Sequence, residues 1–405
     1  MKLSRLLAFL PALLPVVLYA STTTSSGTST DPLNLQPAVR QAYQQFYILD
    51  YDGALAQFEK IEAAHPDDPI AADYLLDTVL FRELWRLDLL DTTFYAHDGF
   101  LTGKHTLPDV DAATRAQIDM LTQKVTSLAD DRLKKDPNDT DALYARGWAR
   151  SLNAVYMALI NRSFIPALRL ALEARADNQK VLDLDPRYVD AKMVLGVHQY
   201  VVGSLPLAFK IVAGVAGIRG SKEKGLTDLR DAGAHGVITG VESSTALALF
   251  LRREAQYGDA ITVMTSLKQE YPRDFLFSLE VANLTKDQGD GQQAIEAYRA
   301  LIDRAKRPGY FPSVHLELAW YGLAEALRGQ RDYLGAANAY SLAAVQPTSS
   351  AEVKGRCELN AGEMFDLLDR RREAEAHYQV VLASNAGSSQ ADSARKYLKS
   401  PFTGN

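Results

Sequence analysis

The chain has 405 residues, 47% of them hydrophobic and 23% charged, which is the composition of a globular protein and excludes a disordered one. Its net charge of −6, without a dense Lys/Arg excess on any segment, argues against nucleic-acid binding. A single cysteine excludes an internal disulfide, so the fold must depend on its core.

The first twenty residues have the layout of a secretory signal peptide. Lys2 and Arg5 precede an apolar run, residues 6–20, and small or hydroxylated residues follow it. The run is shorter than a comfortable membrane span. We therefore expect residues 1–20 to be a signal peptide cleaved near Ala20, with an uncleaved anchor as the alternative. This predicts an exported protein, periplasmic or secreted, of bacterial type.

Beyond this leader, the sequence changes from a linker to helices. Residues 21–36 begin with Ser, Thr and Gly only, and we expect them to form a flexible linker. Residues 37–200 are predicted to form degenerate helix pairs, separated by Pro- and Asp-rich turns such as residues 136–139. Within them, Ala54 and Phe58 have the spacing of packing residues on one helix face.

A polar loop, residues 91–111, interrupts this alternation of helices and turns. It contains His97, Asp98, His105 and Asp109, whose imidazole and carboxylate groups are the types that bind divalent ions. No recognised metal-binding spacing such as His-Glu-x-x-His occurs. We expect a solvated insertion without a metal or cofactor. The alternative is a metal or small-ligand site, or an enzyme, that uses this loop.

Residues 201–240 depart from the repeat and are predicted to be an insertion with an apolar helix and a Gly-rich turn. The apolar stretch, residues 205–218, is expected to be a buried helix, with peripheral membrane binding as the alternative. The glycines that follow are expected to let helices approach closely. Ser221 then caps the next helix, and Glu223 lies in its first turn.

The clearest pattern lies in residues 241–398. A small residue is followed by a bulky one four positions later and by a small or aliphatic one three positions after that. Four helices carry it: Ala260, Met264 and Leu267; Ala294, Tyr298 and Leu301; Ala336, Tyr340 and Ala343; Ala374, Tyr378 and Val381. The helices before them supply Trp320, Ala324 and Gly362. Small residues let helices approach and bulky ones fill the gap between pairs, so we predict a stacked array that ends in a tail, residues 399–405.

These positions resemble the tetratricopeptide-repeat family. One unit fills all seven of its packing positions: Trp320, Leu323, Ala324, Leu327, Ala336, Tyr340 and Ala343. The resemblance implies an all-α solenoid of helix pairs. The central segment, with Gly203-Ser-Leu-Pro and the turn from Gly220 to Gly225, is similar to the tetratricopeptide-repeat-39 family and its fungal inclusion-body-clearance relatives. That second resemblance implies a membrane-peripheral adaptor as an alternative function.

The sequence contains no catalytic constellation. Together these patterns predict an all-α, tetratricopeptide-like helix-pair solenoid that serves as a protein–protein interaction scaffold or adaptor and is not an enzyme. Its partner is expected to be a protein or peptide, with no nucleic acid and at most a peripheral membrane contact. The concave face of such a solenoid, lined with Tyr, Asn and Arg side chains, is the surface that grips extended peptides.

Overall fold

A computed structural model describes residues 28–96, 109–205, 219–384 and 386–404. Across these ranges the chain forms seventeen α-helices and no strand, which confirms the all-α prediction. None of the described helices combines the length and apolar character needed to cross a bilayer. In chain order the helices are α1 (Pro37–Phe46), α2 (Tyr51–Ala64), α3 (Pro69–Arg86), α4 (Ala112–Lys135), α5 (Thr140–Val155), α6 (Phe164–Leu184), α7 (Ala191–Ser204), α8 (Lys222–His235), α9 (Gly240–Arg253), α10 (Tyr257–Glu270), α11 (Phe275–Asp287), α12 (Gly291–Ala305), α13 (Leu316–Gly329), α14 (Tyr333–Ala344), α15 (Ala351–Leu367), α16 (Arg371–Ser384) and α17 (Ser389–Lys399).

The helices pack in consecutive pairs, from α1 with α2 to α15 with α16, and α17 packs on the last pair. The first helices of neighbouring pairs also contact one another, as α11 does with α13 and α13 with α15. In a stack of pairs, the helices that approach across repeats are those on the inner, concave side. The odd-numbered helices therefore line the inner face of a tetratricopeptide-like solenoid, as the repeat pattern predicts.

A recurring turn joins the two helices of a pair. The side chains of Asp50, Asp290 and Asp332 each accept a hydrogen bond from the backbone N–H three residues later, which caps α2, α12 and α14. The residue before each cap is in the left-handed region, with φ of 66° at Leu49 and 62° at Arg331. This tight turn reverses the chain within a few residues and forces the two helices to pack side by side.

The predicted packing residues lie at the contacts between helices. Those with no exposed surface are Ala54, Phe58, Ala260, Ala294, Tyr298, Ala324, Ala336, Tyr340, Ala374 and Tyr378. Gly362 is also buried, whereas Trp320 is only half-buried. A Cβ atom on Gly362 would lie 2.5 Å from Cε1 of Tyr378, so the aromatic ring packs directly on the backbone of α15. Close approach is thus the reason for a glycine at this position.

The segment predicted to be an insertion, residues 201–240, contains one helix after its Gly-rich turn in the part that the structure describes. Residues 222–235 form α8, which packs on α7 as the second helix of a regular pair. Glycines permit this contact: a Cβ on Gly225 would lie 2.6 Å from the backbone nitrogen of Tyr200 and 2.7 Å from the carbonyl oxygen of Gly196. α8 lacks the Ala–aromatic spacing of the repeat and packs through glycine contacts instead.

The cap predicted for α8 is present. Ser221 Oγ accepts a hydrogen bond from the Lys224 N–H at 3.2 Å, and Glu223 lies in the first turn. Of the apolar stretch 205–218, only Leu205 belongs to the described residues, where it follows the last residue of α7. The predicted helix at residues 206–218 lies outside them.

Residues near both ends of the described chain, in the predicted linker and tail, are hydrogen-bonded to the helices. The signal peptide, residues 1–20, and linker residues 21–27 lie outside the described ranges, but residues 29–36 pack against the body. Asp31 caps a short 3₁₀ helix, Pro32–Leu35, and its N–H donates to the hydroxyl of Tyr188 at 3.2 Å. In the tail, the Phe402 N–H donates to Asp366 Oδ2 at 2.8 Å. Hydrogen bonds to buried partners hold both segments in defined positions.

Candidate functional site

The chain itself covers part of the inner face. Residues 87–95, which we call the inner segment, follow α3 and lie against α9 and α11. The Thr92 N–H and hydroxyl donate to the two carboxylate oxygens of Glu280 on α11, at 2.8 and 2.6 Å. The Tyr95 carbonyl accepts a hydrogen bond from Arg253 on α9 at 2.8 Å. An amino-terminal segment therefore occupies the inner side of two carboxy-terminal helix pairs.

A buried charge network supports this contact. The Arg252 side chain is 2% exposed; its guanidinium donates to the Thr92 hydroxyl at 2.9 Å and to Asp287 Oδ2 at 2.8 Å. Its Nη1 atom lies 3.5 Å from Glu280 Oε2. Burial lowers the pKa of Arg252, but Glu280 and Asp287 raise it by more, so the guanidinium stays charged. The inner segment is thus fastened by charge-assisted hydrogen bonds.

A second cluster joins the end of α3 to the start of α13. The Nδ1 atom of His315 is hydrogen-bonded to Asp88 Oδ1 and lies 3.1 Å from Glu317 Oε1. The side chains of His315, Asp88 and Glu317 are 9%, 20% and 0% exposed. Burial lowers the pKa of His315, but the two carboxylates outweigh it and raise the pKa to about 9. One imidazole nitrogen therefore faces two carboxylates in a nearly dry site.

Neighbouring side chains hold these three groups in place. The Trp85 ring packs on the imidazole with centroids 4.1 Å apart, and its indole N–H donates to Ser313 Oγ at 2.8 Å. The Thr348 hydroxyl donates to the other carboxylate oxygen, Oε2, of Glu317. Asp88 has φ of 59°, so the chain turns sharply as it leaves α3. The cluster is therefore preorganised by contacts around it.

The sequence-based metal candidates do not form this cluster. His97, Asp98 and His105 lie outside the described residues. Asp109 is exposed, and its backbone carbonyl accepts a hydrogen bond from Arg86 at 3.1 Å. Sequence reasoning missed the cluster because 227 residues separate Asp88 from His315. The only local signal was that two potential ligands, His315 and Glu317, lie two positions apart in the sequence.

The next part of the inner face, on α13 and α15, carries half-buried aromatic side chains next to arginine and asparagine. The Arg356 guanidinium lies over the Tyr321 ring, 4.6 Å from its centroid, and Asn360 Nδ2 lies 3.5 Å from the Tyr321 hydroxyl. These three side chains and Trp320 are half-buried. Arg356 Nε is shielded from solvent and has no hydrogen-bond partner among the described residues. We call Trp320, Tyr321, Arg328, Arg356 and Asn360 the open face.

Buried carboxyl groups without basic partners lie on α3 and at the start of α9. Tyr47 donates from its hydroxyl to both oxygens of Glu242, at 2.8 and 2.9 Å, and burial raises the pKa of Glu242 to about 8. Asp73 and Asp77, on α3, are buried, and their carboxylate oxygens have no hydrogen-bond partner among the described residues. Burial raises the pKa of both well above the ordinary range. Burial therefore favours the protonated form of each of these carboxyl groups.

Comparison with known proteins finds similarity in structure only. No family model and no curated protein matches the sequence. The chain is similar to yeast Tom70, with 12% identity over 90% of this chain and 88% of that one, and a TM-score of 0.36. It is similar to the Cut9–Hcn1 hetero-tetramer of the APC/C, with 14% identity over 89% of this chain and 55% of that one, and a TM-score of 0.48. For PilF of Pseudomonas aeruginosa the identity is 15% over 62% and 96%, with a TM-score of 0.39.

Proposed function

We propose that this protein is an exported, non-catalytic scaffold that binds a protein or peptide partner through the open face of α13 and α15. The observation that carries the proposal is Arg356. Its half-buried guanidinium stacks on the half-buried ring of Tyr321, so this pair keeps part of its surface exposed on the inner face. An arginine–aromatic pair of this kind offers a partner both N–H donors for a carboxylate or carbonyl and an aromatic surface to pack against.

The neighbouring side chains suit a polypeptide partner. Tyr321, Trp320 and Arg356 belong to the residue types that carry most binding energy at protein interfaces. Asn360 supplies an amide that can pair with a peptide backbone. The chain's net charge of −6 disfavours a nucleic acid as the partner. An extended segment with a carboxylate or carbonyl near Arg356 fits this chemistry.

Photo-cross-linking in cells tests the proposal. A cross-linking residue at Asn360 of the full chain, followed by purification and mass spectrometry, should capture one or two proteins in near-stoichiometric yield. Arg356→Ala should reduce their recovery at least several-fold, whereas Arg372→Ala, at an exposed position on the outer helix α16, should leave it unchanged. Recovery that is equal in both variants, or no captured protein, would refute the open face as the binding surface.

Export is supported by the basic start and apolar run of residues 1–20. Cell fractionation of the tagged protein, with mass spectrometry of its amino terminus, tests this part separately. We expect a mature chain that begins near Ser21 outside the cytoplasm. A cytoplasmic protein that retains Met1 would contradict export without affecting the open-face proposal.

A further inference from the structure

We propose that Asp88, His315 and Glu317 form a binding site for a divalent transition-metal ion, which fastens the end of α3 to the start of α13. These three residues are the one group among the described residues whose His and carboxylate ligand atoms lie within 4.8 Å of one another. The site differs from the loop candidates His97, Asp98, His105 and Asp109, and it does not depend on the scaffold function.

The argument begins with hydrogen-bond stoichiometry. His315 Nδ1 carries at most one proton, and that proton is shared with Asp88 Oδ1. Glu317 Oε1, only 3.1 Å from the same nitrogen, is left as a buried oxygen without a hydrogen bond. A buried carboxylate oxygen in this position is costly unless it has a partner. A metal ion in place of the proton gives all three ligand atoms a partner at once.

Charge supports the same conclusion. With a protonated imidazole, two carboxylates face one positive charge and leave a net negative charge in a site where Glu317 has no exposure. A divalent ion bound to neutral His315 and the two carboxylates balances the charge. The residues of the described chain offer this cluster no arginine or lysine contact that would balance it instead.

The ligand set and geometry indicate the class of metal. One imidazole nitrogen with two carboxylate oxygens suits Zn²⁺ and similar transition ions, whereas Ca²⁺ and Mg²⁺ prefer oxygen ligands alone. Tetrahedral bonds of about 2.0–2.2 Å put ligand atoms about 3.3–3.6 Å apart. The 3.1 Å between Nδ1 and Glu317 Oε1 is close to this, and the partly exposed Asp88 side chain has room to open outward. A solvent molecule would complete the coordination.

The surroundings have the features of an outer coordination shell. Thr348 holds the second oxygen of Glu317, and the Trp85 ring fixes the imidazole plane. Such outer contacts orient metal ligands, and losing one typically weakens binding about 10–100-fold. Because Asp88 and His315 are 227 residues apart, a bound ion would join the inner segment to the carboxy-terminal pairs.

The test is a zinc titration of the purified full-length chain after dialysis against a chelator. We expect one Zn²⁺ per chain by elemental analysis and calorimetry, a higher melting temperature with zinc than without, and no comparable effect of Ca²⁺. Glu317→Gln should weaken zinc binding by more than about 100-fold, since it removes a direct ligand. Asp88→Asn, at the partly exposed position, provides a second variant if Glu317→Gln does not fold.

Two controls make the assignment specific. His377 Nδ1 lies 2.6 Å from Glu358 Oε2 in a His–Glu pair with a single carboxylate, so Glu358→Gln should bind zinc as the unaltered chain does. The double variant His97→Ala, His105→Ala should also retain the site. The proposal is overturned if the chain binds no zinc, if the Asp88 and Glu317 variants bind it equally well, or if the loop variant loses it.

Discussion

The inner face has two halves built from the same kind of helix pair. On α9 and α11 the inner segment covers it, and Thr92 is hydrogen-bonded to both Arg252 and Glu280. On α13 and α15 the side chains of Tyr321 and Arg356 stay half-buried, and Arg356 Nε has no hydrogen-bond partner among the described residues. Repeat packing therefore builds the surface, whereas binding capacity depends on whether the chain has already satisfied the groups that line it.

The largest expected difference between the two halves is the loss of unfolding free energy when an arginine is replaced by alanine. Arg252→Ala leaves Glu280 and Asp287 without their buried partner, and we expect a loss of about 3–5 kcal/mol in the free energy of unfolding. Arg328→Ala is the matched change on the open face. Its guanidinium is 37% exposed and 3.9 Å from Glu363, so the loss should be below about 1 kcal/mol. Denaturant unfolding followed by circular dichroism measures both. Equal losses would mean that the inner segment does not stabilise the covered half.

A smaller effect tests how tightly the helix pairs of the open half are packed. In Gly322→Ala the new Cβ would lie 2.5 Å from Cε1 of the fully buried Tyr298. We therefore expect the free energy of unfolding to fall by about 1–3 kcal/mol. Gly355→Ala is the control, because no atom lies within 4 Å of its Cβ position on α15. At that position the better helix propensity of alanine should raise the free energy of unfolding by up to about 1 kcal/mol. Thermal melts compare the two variants; a neutral Gly322→Ala would show that the pairs are loosely packed.

The smallest expected effect is a pH dependence of stability caused by Glu242, at the start of the covered helix α9. The pKa of Glu242 is about 8 in the folded chain and near 4.5 when the chain is unfolded, because folding buries it. The folded state therefore holds a proton that the unfolded state releases, and stability should fall as pH rises from 4.5 through 8. We expect the melting temperature of the unaltered chain to drop by a few degrees between pH 6 and pH 8.5, with part of this drop absent in Glu242→Gln. The effect stays small because an ionised carboxylate attracts water and the structure relaxes around it. A drop of the same size in both proteins would assign it to other groups.

Local patterns in the sequence are sufficient to predict the helical repeat. The spacing of Ala294 and Tyr298, or of Ala374 and Tyr378, places both residues on one helix face whatever the rest of the chain does. The cap at Ser221 is likewise set within three residues, and the structure contains it. The repeat signal is weaker at α8, which packs on α7 through Gly225 and carries no aromatic residue at the packing position.

The site depends on contacts that no local pattern encodes. His97, Asp98 and His105 are candidate metal ligands in the sequence because they are close together along the chain. Asp88 lies beside His315 and Glu317 only because several helix pairs stack between them. The covered and open halves of the inner face also look alike in sequence, since both carry the same packing spacing. Helix periodicity and capping act over a few residues, so the helix pairs can be predicted from the sequence alone. The position of the inner segment and the meeting of three ligands depend on the accumulated rotation of successive pairs, so they become visible only in the folded chain.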